Sequence, residues 1–289
     1  MAKIIDGKAI AEQIHAETSA AIARLKSQHN LTPGLAVVLV GDNPASAAYV
    51  AAKDKMCARL GIHSVRVNLP AKTTVGELLA KLDHLNFDRA VHGILVQSPL
   101  PSHISEEVIF ASVDPTKDVD GFHPINVGKL ALGDDTGFTP CTPAGVQQLL
   151  VRSGVKIEGA HVVVLGRSRI VGRPISLILS QKAPNANASV TVCHSRSQSL
   201  ADICRSADIV IAAIGQARFV KADMVREGAV VIDVGINRVD GKLVGDVDFE
   251  PVSAKASLIT PVPGGVGPMT IAMLMHNTVR AAKLRHGIA

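Results

Sequence analysis

Short aliphatic runs alternate with helical patterns along nearly the whole chain, and this alternation constrains the fold more than any single motif. The segments GLAVVLVG (34–41), HSVRVNLP (63–70) and VHGILVQSP (91–99) read as strands. Amphipathic stretches around 44–60 and 74–86 separate them, after an opening helix near 8–29. A strand–helix–strand series of this kind implies a parallel sheet with right-handed crossovers. A second series follows, with AHVVVLG (160–166), ASVTVCH (188–194), ADIVIAAIG (207–215) and AVVIDVG (229–235). Aromatic residues make up only 2% of the 289 residues, so the core must be aliphatic, as in sheets buried on both faces.

Between the two series lies DPTKDVDGFHPINVGKLALGDDTGFTPCTPAG (114–145), whose Gly, Pro and Asp content makes it the expected domain junction. The chain closes with a strand, a Gly/Pro loop and a long helix whose apolar face carries Ile271, Leu274, Met275 and Val279. This helix is expected to return to the first domain. The expected fold class is therefore α/β, with a first domain of residues 1–139 plus 266–289 and a Rossmann-like second domain of residues 140–265.

Several classes are disfavoured. No run of eighteen apolar residues is present, so no membrane span is expected. The start, MAKIIDGKAIAEQI, lacks the apolar run of a signal peptide. Cys57, Cys141, Cys193 and Cys204 show no CxxC spacing, which suggests neither a zinc site nor a disulfide framework. A reduced, cytoplasmic enzyme without a metal is expected. The net charge of +5 is spread along the chain without interleaved aromatics, unlike a nucleic-acid surface.

The second half carries a dinucleotide signature. In VVVLGRSRIVGRP a strand ends at Gly166, Gly172 follows six residues later, and Pro174 suits the first helical turn. Glycines there let backbone approach a pyrophosphate, and the helix N-terminus presents free N–H groups to it. Ser168 stands where the second glycine of the usual fingerprint would be. NAD-preferring folds place an acid about 20 residues further on to hold the ribose hydroxyls. From Gly159 to Ala201 there is no acidic residue, but there are Arg167, Arg169, Arg173, Lys182 and Arg196. A hydroxyl at Ser195 beside Arg196 suits a ribose phosphate, so the expected cofactor is NADP.

Polar residues in the first half and at the junction suggest chemistry. Tyr49 and Lys53 stand one helical turn apart and share a face. Gln97 closes an apolar strand at the end where open α/β sheets carry their sites. Asp118 and Asp120 flank the junction in KDVDGF, and PVPGGVGPMT (261–270) forms a rigid loop that exposes bare backbone.

YVAAK, VQSPLP, KDVDGF, TPCTPAG, GRSRIVGRP, DVGIN and PVPGGVGPMT, in that order, closely resemble the bifunctional methylenetetrahydrofolate dehydrogenase/methenyltetrahydrofolate cyclohydrolase family over essentially the whole chain. The resemblance implies two three-layer α/β domains around a cleft, with folate on the first, NADP on the second, and a homodimer. It implies NADP-dependent oxidation of 5,10-methylenetetrahydrofolate and hydrolysis of the methenyl product to 10-formyltetrahydrofolate, a one-carbon donor for purine biosynthesis. It assigns Lys53 as the catalytic lysine, Gln97 as its partner and Tyr49 as the ring stacked on folate. Asp120 would hold the pterin. Val96, Ser98, Pro263 and Gly264 would line the folate slot. Arg167, Ser168 and Ser195 would touch NADP, with Ile236 and Thr270 near the nicotinamide. Ser98 departs from the leucine common in the family. Tyr-xxx-Lys also occurs in short-chain dehydrogenases, but there it follows the dinucleotide fold, whereas here it precedes it. A non-enzymatic NADP sensor would leave Lys53, Gln97 and Asp120 unexplained.

Overall fold

The computed structural model describes residues 1–288; the last residue of the expected 266–289 segment lies outside the described residues. The chain opens with β1 (Lys3–Ile4) and α1 (Gly7–His29), then β2 (Gly34–Val40), α2 (Pro44–Leu60), β3 (His63–Leu69), α3 (Val75–Phe87) and β4 (Gly93–Val96). Three helices follow: α4 (Glu106–Phe110), α5 (Pro124–Leu132) and α6 (Cys141–Arg152). The second series is β5 (His161–Leu165), α7 (Gly172–Ser180), β6 (Ser189–Cys193), α8 (Leu200–Arg205), β7 (Ile209–Ala212) and β8 (Val230–Asp233). A hairpin of β9 (Asn237–Val239) and β10 (Lys242–Val244) precedes α9 (Phe249–Ser253), β11 (Leu258–Ile259) and α10 (Val266–Arg285).

Two compact units emerge, one of Gln13–Cys141 with the chain from Ile271 onward, the other of Met1–Glu12 with Thr142–Thr270. The first holds a parallel sheet in the order β3-β2-β4. All seven residues of β2 are buried, so the central strand is apolar throughout instead of alternating. Val38, Leu78, Leu82, Val91, Ile94 and Ile109 belong to its aliphatic core. The second unit holds a six-stranded sheet in the order β1-β11-β8-β7-β5-β6, parallel at every pairing. The expected alternation and α/β class are observed.

Two features differ from the sequence expectation. Residues 1–12 group with the second unit because β1 pairs with β11, Lys3 opposite Leu258 and Ile4 opposite Ile259. A two-residue strand with little apolar content gives no periodicity to read. The junction also contains a full helix, α5. His123 caps it by accepting from Ile125 N at 3.0 Å, Pro124 occupies the first turn, and Gly133 ends it at φ 73°. A nine-residue helix framed by Pro and Gly reads as loop when composition is weighed over a longer window.

His92, 3% exposed, ties the first sheet together: its Nδ1 accepts from Gly34 N at 3.0 Å. Burial, aided by His286, Arg285 and Lys117 and opposed by Asp88, pushes its pKa from 6.5 down to about 4. The folded state therefore binds this proton more weakly than the unfolded chain. The resulting stability is complete above pH 6.5 and is lost as pH falls toward 4, by about 3 kcal/mol across that window. Urea unfolding at pH 7 and pH 4.5 is expected to show this loss in the wild type. It should shrink in His92→Asn, whose amide oxygen can replace the acceptor without titrating.

Candidate active site

Lys53 lies in α2, whose start is fixed by Asn43: its side-chain oxygen accepts from Ala45 N at 3.0 Å and Ser46 N at 3.1 Å. On this helix Lys53 is turned inward and only 6% exposed, whereas Tyr49, one turn earlier, is 43% exposed. The Lys53 Nζ donates to Gln97 Oε1 at 2.6 Å. Gln97 follows β4, and its own Nε2 donates to Ser98 O at 2.6 Å, which leaves the carbonyl oxygen aimed at the amine. Val96, at the end of the strand, is buried, and Ser98 is half-buried before a cis peptide bond to Pro99.

Burial lowers the pKa of Lys53, while the negative charge of Asp120 and, less strongly, Cys141 pulls it back up. Desolvation is the larger effect, so the amine is biased toward its neutral form. Asp120 shows the reciprocal picture. Its pKa is raised by burial and lowered chiefly by Lys53, so the pair is drawn toward an uncharged arrangement. Cys141 is fully buried beside them with its thiol pKa pushed well up, so it is a thiol and not a nucleophile.

Asp118 and Asp120, two residues apart, are set in different surroundings. Asp118 Oδ2 accepts from His123 N at 2.7 Å and Asn126 Nδ2 at 2.8 Å, and Oδ1 accepts from Phe122 N at 3.2 Å. It pins the turn that presents Asp120. Lys117, fully buried, donates to the carbonyls of Leu85 at 2.9 Å and Asp88 at 2.7 Å, capping the end of α3. Asn277 holds the same loop from α10 through Val119 O at 2.8 Å and Thr139 O at 3.1 Å. Asn277 was not legible beforehand because it is a single polar residue on an apolar helix, 158 positions from the carbonyl it holds.

In the other unit a cavity of about 550 Å³ opens at the ends of β5, β6 and β7, and Gly166, Arg167, Ser168 and Ser195 line it. Gly166 has φ +113°, and a Cβ there would overlap the Ala213 carbonyl. A Cβ on Gly172 would overlap the Gly166 carbonyl, so both glycines are required by close backbone approach. Ser168 Oγ accepts from Val171 N at 3.2 Å and Gly172 N at 3.3 Å, and so caps the start of α7 from the place of the fingerprint's second glycine. Arg196 is exposed on the turn after β6, where its N–H donates to His194 Nδ1 at 3.1 Å.

The remaining residues expected at the site also fall in this unit. Ile236 is 50% exposed just before β9. Thr270 Oγ1 lies 2.9 Å from Thr142 Oγ1. Pro263, after a cis bond from Val262, and Gly264, at φ +103°, form the loop before α10. No cluster of His, Cys, Asp and Glu suited to a metal occurs among the described residues. No described helix is long and apolar enough to cross a membrane.

A parallel sheet with a glycine turn at its carboxyl end and a cavity lined by Arg167, Ser168 and Ser195 is the arrangement of a dinucleotide-binding domain. Comparison makes the class specific. Residues 5–120 match the catalytic domain of tetrahydrofolate dehydrogenase/cyclohydrolase, and residues 140–286 match its NAD(P)-binding domain. The chain belongs to the tetrahydrofolate dehydrogenase/cyclohydrolase family. It is 56% identical to the bifunctional protein FolD of Magnetococcus marinus over the full length of both chains. The solved bifunctional FolD methylenetetrahydrofolate dehydrogenase/cyclohydrolase of Campylobacter jejuni superposes with a TM-score of 0.95 at 52% identity, covering 99% of this chain and 100% of that one. The Trypanosoma brucei dehydrogenase-cyclohydrolase, solved with NADP and an inhibitor, gives 0.93 at 40% identity over 99% and 98%.

Replacing Asp118 by Ala leaves three donors beside a buried, empty acceptor position, each at a cost of about 1–3 kcal/mol. Asp118→Ala is expected to lower the urea midpoint markedly, whereas a surface control such as Lys72→Ala should not.

Proposed function

We propose that the chain is a bifunctional one-carbon enzyme that oxidises 5,10-methylenetetrahydrofolate with NADP and hydrolyses the methenyl product to 10-formyltetrahydrofolate, with Lys53 as the proton shuttle. The family membership supports the two activities. The observation that carries the role of Lys53 is its 2.6 Å bond to a neutral acceptor, made by an amine that is 6% exposed. The unit with Lys53, Gln97 and Asp120 is the proposed folate domain, and the unit with the Gly166–Gly172 turn is the proposed nucleotide domain.

When bound, NADP supplies a hydride acceptor. The cavity suits it: glycine backbone at Gly166 leaves room for a pyrophosphate, Arg167 and Ser195 line the wall, and Arg169 and Arg196, close by in sequence, add positive charge suited to the ribose phosphate of NADP. The carbon that yields the hydride bridges two nitrogens whose lone pairs stabilise the cation formed. The protein therefore needs no strong base for this step, only alignment and exclusion of water.

Hydrolysis does need proton transfer. Water attacks the methenyl carbon and gives up a proton to the neutral Lys53 amine. The resulting ammonium donates to the departing ring nitrogen as the carbon–nitrogen bond breaks, and the hydroxyl proton passes to solvent water as the formyl carbonyl forms, the one net proton the hydrolysis of a cation releases. The methenyl substrate is itself a cation, so its arrival favours the neutral amine further. Gln97 orients that amine without adding charge. Asp120 accepts two hydrogen bonds from the amino-pyrimidone edge of the pterin. The exposed ring of Tyr49 offers a stacking face, and Val96 and Ser98 of the same unit supply walls for the folate; a folate contact by Pro263 and Gly264 is what the family resemblance implies. Ile236 and Thr270 serve the nicotinamide end. Assembly as a homodimer, implied by the resemblance, completes the reading and is read by sedimentation velocity.

Absorbance separates the steps, since methenyltetrahydrofolate and NADPH have distinct spectra. Lys53→Met is expected to lose cyclohydrolase by at least a hundredfold while hydride transfer stays measurable. Asp120→Ala is expected to weaken both activities through folate affinity. Full hydrolysis by Lys53→Met, or unchanged folate affinity in Asp120→Ala, contradicts these roles.

A further inference from the structure

Two buried carboxylates in the nucleotide unit take no part in the chemistry above. Asp233 ends β8 and is 4% exposed; Asp246 follows β10 and is fully buried. Among the described residues neither faces a cation within salt-bridge distance; both are satisfied by amide N–H groups. Asp246 Oδ2 accepts from Ile214 N at 2.7 Å and Gly215 N at 2.9 Å, and its Oδ1 accepts from Asn237 Nδ2 at 2.9 Å. Asp233 Oδ1 accepts from Gly235 N at 3.0 Å and Asp246 N at 2.9 Å, and its Oδ2 accepts from Val247 N at 2.9 Å. A Cβ on Gly235 would overlap the Asp246 carboxyl, and one on Gly245 would overlap that of Asp233, so glycine backbone closes over both acids.

Together the acids join three segments: the one leaving β7, the one leaving β8, and residues 245–247. The first two leave the carboxyl ends of parallel strands, where ligands of open α/β sheets bind. Ala213, Ile214 and Gln216 line the 550 Å³ cavity, and Ile236 projects, half-exposed, between the residues that the two acids hold. A buried carboxylate is costly unless fully hydrogen-bonded, and apolar residues could pack a core at lower cost. The acids instead define where two ligand-side loops stand.

We infer that Asp246 is a positioning residue for the nucleotide cofactor: through Ile214, Gly215 and Asn237 it sets the cavity wall and the Ile236 segment at the separation the cofactor requires. This rests on the reading that NADP occupies that cavity. An amide at position 246 cannot accept on both sides, so either the Ile214–Gly215 pair or Asn237 must face an NH2 group.

The test uses the full-length enzyme, calorimetric titration with NADP and both absorbance assays, in Asp246→Asn and Asn237→Ala. Asn237→Ala, at a half-buried position, removes one arm only and guards against loss of folding in the first variant. The NADP dissociation constant and the KM for NADP are expected to rise at least tenfold in Asp246→Asn and about threefold in Asn237→Ala. Hydrolysis of the methenyl substrate, which consumes no nucleotide, should stay within twofold. Wild-type NADP affinity in both variants, or proportional loss of both activities, overturns the inference. A wild-type enzyme that neither binds NADP nor oxidises the methylene substrate would sink the functional reading itself, and this inference with it.

Discussion

A lysine amine kept out of water and bonded to an uncharged oxygen is the interaction on which the proposed chemistry depends. Water normally holds an ammonium charged far above neutral pH. Helix α2 removes most of that water from Lys53, and Gln97 replaces it with one carbonyl oxygen at 2.6 Å. A carboxylate in the same place would have restored the charge. The structure does put one nearby, in Asp120, whose field opposes the effect of burial. Burial raises the pKa of Asp120 in turn, while Lys53 lowers it.

Precise placement of these groups comes from polar side chains that touch no reacting atom. Asp118, Lys117 and Asn277 secure the junction loop through backbone groups from four different segments. Asp233 and Asp246 do the same for the loops of the nucleotide unit. In both units these buried polar side chains face amide or carbonyl dipoles, which fixes the loops.

Much of this was legible in the sequence because it rests on local patterns. The aliphatic runs predicted β2, β3 and β5 to within a residue or so, and the glycine turn predicted the start of α7. Lys53 and Gln97, singled out through motif order, are hydrogen-bonded with Asp120 close enough to act on the lysine, and Gly166, Arg167, Ser168 and Ser195 share one cavity. What escaped depends on long-range pairing. β1 is only two residues long and acquires its place from β11, more than 250 residues away. Helix α5 was hidden by the turn-forming residues at its ends, since its own nine residues are mostly apolar. Asp233 and Asp246 read as strand-end polar residues, and nothing local shows that each bridges segments from separate strands. Ser168 could be seen as a departure from a glycine fingerprint, but not as the cap that compensates for it.

The ionisation of Lys53 can be measured directly. Selective carbon-13 labelling of lysine, with the Lys53 resonance assigned by its loss in Lys53→Met, allows the amine to be titrated by NMR. The account requires a pKa below the ordinary lysine value of 10.5, falling further when a cationic folate analogue binds. A Lys53 that titrates at or above 10.5, unchanged by ligand, would contradict it.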